Sequence, residues 1–403
     1  MIPRFLFVCA ATVLAAPAGA EPLHAVAGRV HEEGAFVVLS FDLDGKAEAA
    51  SHALKGPDRL VIDLPAVGFF LEPSLGRDLS GKPGGGLIKS FRFGGLNADS
   101  SRIVIDLAKP ACVQKIEDSP LVAGAAATRL DIVLMGCGRA AFEAALQAEP
   151  RQTAAAPVAP PPPGDSRPVV VIDPGHGGID GGAFGAGGAV EKGITLAFAL
   201  ALKERLDGGG RYRVVMTRTD DSFVSLPDRV KLARDAGAAL FISIHADTLS
   251  DGADVSGGTV YSGAERASDG VSARIAAREN AADKAAGADL KEEKAGVSDI
   301  LFDLQMRESR AYTHLFSHGL MEAWRKAGRL ANNPERAANF YVLKAPDYPS
   351  VLMELGFLSN AEDVKALKSP EWRAKTSEAM AKAIDGFFAA GGGSAPPPAA
   401  ASR

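Results

Sequence analysis

A run of alanine and proline divides this chain of 403 residues into two parts. Residues 149–168 read EPRQTAAAPVAPPPPGDSRP. Such a segment cannot build a core, and its prolines stiffen it in polyproline geometry. We therefore assign residues 141–168 to a linker, and the chain must fold as two bodies that are each long enough to bury a core. A second run of this kind, GGGSAPPPAAASR, predicts a disordered tail over residues 391–403.

The first twenty residues have the pattern of a secretory signal peptide. Arg4 supplies a basic start, residues 5–16 are almost entirely apolar, and residues 18–20 form the A-x-A pattern of a cleavage site. The apolar run is too short to span a bilayer comfortably, and no other segment reaches membrane-spanning length. We therefore predict a signal peptide over residues 1–20 and an exported mature protein without a transmembrane segment. The net charge of −5 reflects no excess of lysine and arginine, which argues against nucleic acid as a partner.

Residues 22–140 carry a short pattern that recurs three times. DRLVIDLP at 58–65, SRIVIDLA at 101–108 and TRLDIVLM at 128–135 each have an arginine followed by alternating apolar positions. This period of two is typical of half-buried strands. Because glycine-rich turns separate the segments, the pattern predicts a small all-β sandwich.

Two cysteines remain once the predicted signal peptide is removed, Cys112 and Cys137. An oxidising compartment would allow them to form a disulfide, which would stabilise the fold by about 3–4 kcal/mol on the chain-entropy model. Two buried free thiols explain the sequence equally well. The sequence leaves the pairing open.

Residues 169–390 alternate between strand and helix patterns, which predicts an α/β domain with a central sheet flanked by helices. One helix is expected over 191–206 with a glycine stop, and another over 225–237 with Ser225 and Asp228 as a capping box. The predicted strands are 169–173, 212–217, 240–244, 258–262, 340–344 and 351–353.

Ionisable side chains follow three of these strands. His176 follows the first in VIDPGHGGID, His245 follows LFISI, and Glu354 follows SVLM. Because open α/β sheets bind ligands at the carboxyl ends of their strands, we expect these groups in one cleft, with Glu191 at the start of the next helix. Two imidazoles and one carboxylate suit a catalytic zinc ion, and a remaining carboxylate can move protons. Singly, each has a simpler explanation, such as a surface histidine or a glutamate favoured by the helix dipole.

Three segments within residues 169–388 resemble the zinc-dependent N-acetylmuramoyl-L-alanine amidases of the Amidase_3 type. They are VVVIDPGHGGIDGGAFGAGGAVEKGITLAFALALKERL, VVMTRTDDSFVSLPDRVKLARDAGAALFISIHAD and YVLKAPDYPSVLMELGFLSNAEDV. The resemblance implies cleavage of the amide between N-acetylmuramic acid and L-alanine of the peptidoglycan stem peptide. His176, Glu191 and His245 match the family's zinc ligands, and Glu354 matches its catalytic glutamate.

The N-terminal segments DRLVIDLP and SRIVIDLA resemble the AMIN domain that is often attached to periplasmic division amidases. In that family the AMIN domain is a localisation module that contacts peptidoglycan. The resemblance therefore implies a periplasmic enzyme that splits the cell wall at the division septum.

Residues 263–310 form an insertion that is longer than a strand-to-helix connection needs. Its first part is helical in pattern, with Glu279 inside an apolar stripe. Related amidases with such an insertion are autoinhibited by a helix that presents a glutamate to the zinc, and a LytM-domain protein activates them. We therefore predict Glu279 as a fourth, inhibitory ligand. The alternative is a solvent-facing Glu279 paired with Lys284 or an arginine. The apolar stripe of this helical segment, within which Glu279 falls, consists of Val271, Ile275, Ala282 and Ala286.

Some assignments remain open. His314 and His318 have the i,i+4 spacing of a metal site, but no further ligand completes it, so packing or surface exposure explains them better. Arg218 and Arg229 match family positions, and either site support or structural ion pairing fits them. Two other functions also stay open, which are a non-catalytic peptidoglycan-binding septal protein and a zinc peptidase that cuts within the stem peptide.

Overall fold

The computed structural model describes residues 22–146, 165–249, 255–287 and 300–393. The predicted signal peptide, most of the predicted linker and residues 394–403 of the predicted tail lie outside the described residues. The first six residues of the predicted linker, 141–146, instead belong to the N-terminal domain. They continue a short helix whose Phe142 is completely buried, because a large apolar side chain at this point finds a place in the adjacent core.

The N-terminal domain is a β-sandwich, as the recurring strand pattern predicts. One sheet has the order β5-β1-β2-β9-β8 and the other has the order β3-β4-β7-β6. Neighbouring strands are antiparallel except for the pair β1 and β5. The elements are β1 Leu23–Glu33, β2 Phe36–Leu43, β3 Ala50–Leu54, β4 Arg59–Pro65, β5 Val67–Phe69, β6 Ile88–Asn97, β7 Ser100–Leu107, β8 Ala111–Pro120, β9 Thr128–Gly136 and α1 Arg139–Ala144.

Alternation along β4 and β7 separates two faces of the second sheet. Leu60 and Ile62 point into the sandwich core, whereas Val61 lies on the outer face in a different apolar cluster. On β7, Ile103 faces the core and Val104 faces outward in the same way. Both valines are nevertheless completely buried, so the outer face of this sheet is covered by another part of the chain.

The two cysteines are joined in a disulfide. Cys112 on β8 and Cys137 just after β9 have Cα atoms 5.8 Å apart, and the bond closes a separation of 25 residues. It ties together two strands that are neighbours in the sheet.

The C-terminal domain has a central six-stranded sheet in the order β11-β10-β12-β15-β13-β14. All neighbouring pairs are parallel except β13 and β15. The predicted α/β class is therefore confirmed, with a mixed sheet. The elements are β10 Val169–Pro174, α2 Glu191–Gly209, β11 Arg213–Met216, α3 Leu226–Ala236, β12 Ala238–His245, β13 Gly258–Gly263, α4 Gly270–Glu279, α5 Ala282–Ala285, α6 Ile300–Trp324, β14 Leu330–Ala338, β15 Ser350–Glu354, α7 Ala361–Lys368 and α8 Pro370–Ala389, with 3-10 turns at Ala186–Gly188 and Tyr341–Leu343.

Helices cover both faces of this sheet, because its central strands are apolar on both sides. Alternate residues of β10 and β12 pack with α2, α6 and α8 on one face and with α3 and α4 on the other. The two helix signals in the sequence are confirmed. α2 ends at Gly210 with a left-handed φ of 63°, and Ser225 caps α3 by accepting a hydrogen bond from the amide of Asp228.

The prediction of a strand at 340–344 is wrong. This segment contains the 3-10 turn Tyr341–Leu343, and the alternating Phe340 and Val342 are buried without pairing in the sheet. The sixth strand is instead β14, whose sequence LANNPERAA has little apolar periodicity. Pro334 is tolerated there because β14 is an edge strand, where a missing amide donor costs no ladder hydrogen bond.

The predicted helical insertion forms two short helices, α4 and α5, with residues 280–281 between them. Within the stripe, Ile275 and Ala286 are buried, and Glu279 is 5% exposed. The last part of the predicted insertion, from residue 300, is the start of the long helix α6. Within the described parts of the chain, none of the helices is both long and apolar enough to cross a membrane.

Candidate active site

The loop after β10 brings two imidazoles together. His176 has a φ of 61°, and among the described residues it alone lies in the left-handed region without being glycine. Glycines on both sides make room for the rings. A Cβ on Gly175 would lie 2.4 Å from the ring of His245, and one on Gly182 would lie 2.6 Å from the ring of His176. The glycine-rich loop therefore allows the two rings to approach to a centroid distance of 4.9 Å.

Glu191 lies between the two histidines. Its Oε2 is 3.1 Å from Nε2 of His176, and its Oε1 is 3.2 Å from Nδ1 of His245. The carboxylate is fully buried at the first residue of α2 and also accepts hydrogen bonds from the amides of Ala183 and Ala246. The structure thus brings together the three residues that the sequence predicts as metal ligands.

Glu279 reaches the same point from the inserted segment. Its Oε2 lies 3.2 Å from Nε2 of His176 and 3.2 Å from Nδ1 of His245. One ligand atom from each of these three residues lies within 4.8 Å of the others, which is close enough to share a metal ion. Glu279 therefore faces the cluster rather than solvent. Of the two pairings proposed for it, the one with an arginine is present, because Nε of Arg278 lies 3.8 Å from Oε1 of Glu279.

The cluster has the chemistry of a cation site. Nε2 of His176 and Oε1 of Glu279 are buried without a hydrogen-bond partner. Burial alone would lower the pKa of His176, but Asp180, Glu191 and Glu279 raise this pKa well above its usual value. Burial would raise the pKa of Glu191, but the two histidines hold this pKa well below its usual value. The raised pKa of His176 reflects the negative charge of the three carboxylates around it, which a divalent ion would also balance. Nitrogen and carboxylate donors of this kind suit zinc.

A second carboxylate orients His176. Oδ2 of Asp180 lies 2.8 Å from Nδ1 of His176, which leaves Nε2 directed at the cluster. Metal-binding histidines usually have such a partner, because it fixes the tautomer and the ring orientation. Sequence reasoning missed Asp180, although the close spacing of histidine and aspartate in HGGID was a usable signal.

Two buried arginines hold the backbone of the histidine loop. Arg229 forms an ion pair with Asp173 at 2.6 Å and donates a hydrogen bond to the carbonyl of His176 at 2.8 Å. Arg218 donates to the carbonyls of Pro174 and Gly175. Through these contacts both arginines hold the backbone of the loop that carries His176. Arg229 in addition forms a structural ion pair with Asp173. Asp173, which sequence reasoning missed, also accepts hydrogen bonds from two hydroxyl groups.

Glu354 lies beside the cluster at the end of β15. The parallel register of β12 and β15 pairs it with His245, so both side chains emerge at the same edge of the sheet. Its Oε2 accepts a hydrogen bond of 2.9 Å from the amide of Asp247, and its Oε1 has no partner. Complete burial raises the pKa of Glu354 to about 8. A carboxyl group of this kind can accept and release a proton near neutral pH.

His314 and His318 do not join this site. Both are exposed on α6, and the nearest acid to His314 is Glu335, 3.8 Å away. Of the two interpretations of this pair, a metal site or a packed or exposed position on the helix, exposure on the surface describes both histidines correctly.

The inserted segment closes the cleft over the cluster. The cavity that remains beside His176, His245 and Glu279 has a volume of about 20 Å³. This is room for about one water molecule. Arg278 of the same helix contacts Asp247 and donates to the carbonyl of Thr248, so the segment is also held at the rim.

Two family models match the chain. The Amidase_3 model, described as N-acetylmuramoyl-L-alanine amidase, matches residues 170–386, and the AMIN domain model matches residues 29–125. These matches agree with the resemblances seen in the sequence motifs.

Named relatives extend these matches. N-acetylmuramoyl-L-alanine amidase AmiA of Escherichia coli strain K12 is 35% identical over 55% of this chain and 76% of its own length. AmiC of a second Escherichia coli strain is 30% identical over 90% of this chain and 89% of its own length. The solved catalytic domain of CwlV from Bacillus(Paenibacillus) polymyxa var. colistinus aligns with 55% of this chain and 98% of its own, at 27% identity and a TM-score of 0.41.

Proposed function

This chain belongs to the N-acetylmuramoyl-L-alanine amidase family, and from that premise we propose that it is a zinc-dependent peptidoglycan hydrolase. It cleaves the amide between the lactyl group of N-acetylmuramic acid and L-alanine of the stem peptide. The observation that carries the zinc assignment is the convergence of His176, Glu191 and His245 on one buried point where Nε2 of His176 has no hydrogen-bond partner.

These three side chains would hold the ion, and each has a neighbour that fixes its orientation. Asp180 orients the ring of His176, backbone amides orient Glu191, and the end of β12 fixes His245. When bound, zinc polarises a carbonyl group and increases the nucleophilicity of water near neutral pH. Arg218 and Arg229 keep the histidine loop in its left-handed conformation, so the site is built before substrate arrives.

Glu354 is the proton-transfer group. Its Oε2 is held by the amide of Asp247, whereas its unpartnered Oε1 is free to accept a proton from the attacking water. The same oxygen then delivers the proton to the amide nitrogen as the carbon–nitrogen bond breaks, so one group serves as base and then as acid. A pKa raised by burial suits both roles.

We propose that the enzyme is autoinhibited by the inserted segment. Glu279 contacts the imidazoles of His176 and His245, and the cavity beside these three residues has room for about one water molecule. An activator must therefore displace α4, and the family resemblance points to a LytM-domain protein. The exported chain acts in the periplasm, and its AMIN domain directs it to peptidoglycan at the division septum.

Mass spectrometry of digested peptidoglycan tests this function. Purified Glu279→Ala protein, in which the inhibitory carboxylate is absent, is incubated with sacculi in the presence of zinc or of a chelator. The amidase releases free stem peptides from intact glycan, and the chelator stops the release. Shortened stems that stay attached to muramic acid would identify a peptidase instead, and unchanged sacculi would identify a binding protein.

Glu354→Gln is the matched control for this experiment. It keeps the size of the side chain and removes its ability to accept a proton, so the rate should fall by roughly 10²–10⁴ while zinc remains bound. A Glu354→Gln protein with an unchanged rate would show that another group transfers the proton.

A further inference from the structure

The geometry points to the outer face of the sheet β3-β4-β7-β6 as the surface that holds the inhibitory segment closed. The segment's last turn, residues 282–287, lies between this face and the catalytic domain. This inference rests on the proposed autoinhibition and adds that the N-terminal domain maintains it.

Three arginines of the N-terminal domain bind the end of the turn, and one of them, Arg92, donates a hydrogen bond of 3.4 Å to the carbonyl of Lys284. NH1 of Arg59 donates a hydrogen bond of 2.6 Å to the carbonyl of Lys284, and NH1 of Arg102 donates one of 2.8 Å to the carbonyl of Ala286. Carbonyls at the end of a helix lack partners within the helix and carry partial negative charge, so a guanidinium group is a strong donor for them. Arg59 is 1% exposed and Arg102 is 2% exposed, which indicates a built contact rather than a surface encounter.

Apolar contacts surround these hydrogen bonds. Ala286 is buried in one cluster with Val61 and Val104 of the β-sandwich, and a Cβ on Gly287 would lie 3.1 Å from Cγ2 of Val61. This contact explains why the outer faces of β4 and β7 are apolar and buried although they do not belong to the sandwich core. Leu54 and Leu96 complete the part of the cluster that belongs to the N-terminal domain.

The same cluster reaches the active-site loop. Ile179, three residues after His176, packs in it together with Phe223, and the amide of Ile179 donates a hydrogen bond to the carbonyl of Gly95 at 3.0 Å. The β-sandwich therefore touches both the loop that carries a zinc ligand and the segment that covers it.

The catalytic domain holds the other side of the turn. Oδ1 of Asp283 accepts a hydrogen bond of 2.9 Å from the amide of Leu226 at the first residue of α3. Because residues 282–287 have contacts on both sides, the segment cannot leave the cleft without breaking contacts with the N-terminal domain. We call the surface of the β-sandwich that holds this turn the latch. It is formed by Arg59, Val61, Arg102 and Val104.

Replacing both latch valines by threonine tests this inference in the full-length protein. Threonine keeps the shape and strand preference of valine, but its hydroxyl group is buried without a partner when the turn is docked and is hydrated when the turn leaves. Val61→Thr/Val104→Thr should therefore increase amide hydrogen exchange across residues 270–287 roughly tenfold or more. Basal hydrolysis of labelled peptidoglycan should rise with it.

Two further variants serve as matched control and as second probe. Val26→Thr/Val133→Thr makes the same pair of substitutions on the opposite sheet, outside this cluster, where Val26 is exposed and Val133 is half-buried, and should leave exchange in residues 270–287 unchanged. Arg59→Ala removes the hydrogen bonds of this side chain to the carbonyls of Lys284 and Pro57 and should again increase exchange in residues 270–287, by roughly tenfold. Thermal unfolding confirms that each variant is folded.

Hydrogen exchange decides this inference independently of activity. Exchange in residues 270–287 that is the same in wild type, in the valine double variant and in Arg59→Ala would overturn it. Increased exchange in a protein whose Glu279→Ala variant releases no stem peptide would instead support the latch and refute the proposed amidase function.

Discussion

Glu279→Ala should raise basal peptidoglycan hydrolysis in the absence of any activator. The carboxylate lies 3.2 Å from each of two buried imidazoles, and a hydrogen bond or ion pair of this charged kind contributes about 1.5–3 kcal/mol. Removing it shifts the equilibrium between closed and open cleft by roughly 10- to 150-fold. Contacts of Arg278 and Asp283 remain in the variant, so they favour the closed cleft to the same extent before and after the substitution.

Dye release from labelled sacculi, measured with zinc present, gives the rate directly. Glu265→Ala is the matched control, since this glutamate lies in the same insertion but is exposed and should leave the rate unchanged. A Glu279→Ala rate equal to that of wild type would refute the assignment of this residue as the inhibitory ligand.

Three other perturbations have expected outcomes. Arg229→Met leaves the buried carboxylate of Asp173 without its cation, so the free energy of unfolding should fall by about 3–5 kcal/mol in denaturant titration. Cys112→Ser should cost the N-terminal domain about 3–4 kcal/mol, seen as an earlier thermal transition that reductant reproduces in wild type. Burial raises the pKa of Asp283 to about 6, above its usual value of 3.8, so the folded state takes up a proton. The resulting stabilisation is present below about pH 4 and is lost as pH rises through about 6. The free energy of unfolding of wild type, measured relative to that of Asp283→Asn, should therefore decrease by on the order of 2–3 kcal/mol between pH 4 and pH 7.5.

Each of these outcomes has a counterpart that would contradict it. Arg234→Ala breaks an exposed ion pair with Asp347 and should cost less than about 1 kcal/mol, so an equal loss in Arg229→Met would show that burial of Asp173 is not costly. An unchanged transition in Cys112→Ser would show that the disulfide contributes little. A stability difference for Asp283→Asn that is independent of pH would show that this carboxyl group does not titrate in the expected range.

The position of the active-site groups could be predicted because it depends on the ends of parallel strands. His245 and Glu354 are paired at the carboxyl ends of the parallel strands β12 and β15. This is the edge of an α/β sheet at which ligands are expected to bind. Asp180 and Asp173 were not predicted, because their roles depend on loop conformation and on arginines that are distant in sequence. The short spacing of His176 and Asp180 in HGGID was a local signal for Asp180, whereas Asp173 lies on β10 and its partners Thr217, Arg229 and Ser243 are distant in sequence.

The fold was predictable where the apolar pattern determines burial and unpredictable where it does not. The alternation in β4 and β7 identified strands of a sandwich correctly, whereas the alternation of Phe340 and Val342 describes a buried 3-10 turn. Periodicity reports which side chains are buried but not whether the backbone pairs in a sheet. The polar strand β14 was missed because its backbone pairs in the sheet although its sequence has little apolar periodicity.

The contact between the two domains lies beyond sequence patterns altogether. The arginines in DRLVIDLP and SRIVIDLA were visible as a recurring feature, but their acceptors, the carbonyls of Lys284 and Ala286, lie 225 and 184 residues away from Arg59 and Arg102. Every residue has a backbone carbonyl, so the residue type does not indicate which carbonyl accepts a hydrogen bond from an arginine. Only the folded arrangement reveals that these arginines bind the inserted segment.

Anomalous diffraction at the zinc edge, from crystals of the full-length protein grown with zinc, tests most directly whether the three predicted ligands bind zinc. We expect one peak at roughly 2.0–2.2 Å from ligand atoms of His176, Glu191 and His245. Absence of density there, or a peak beside His314 and His318 instead, would contradict the account.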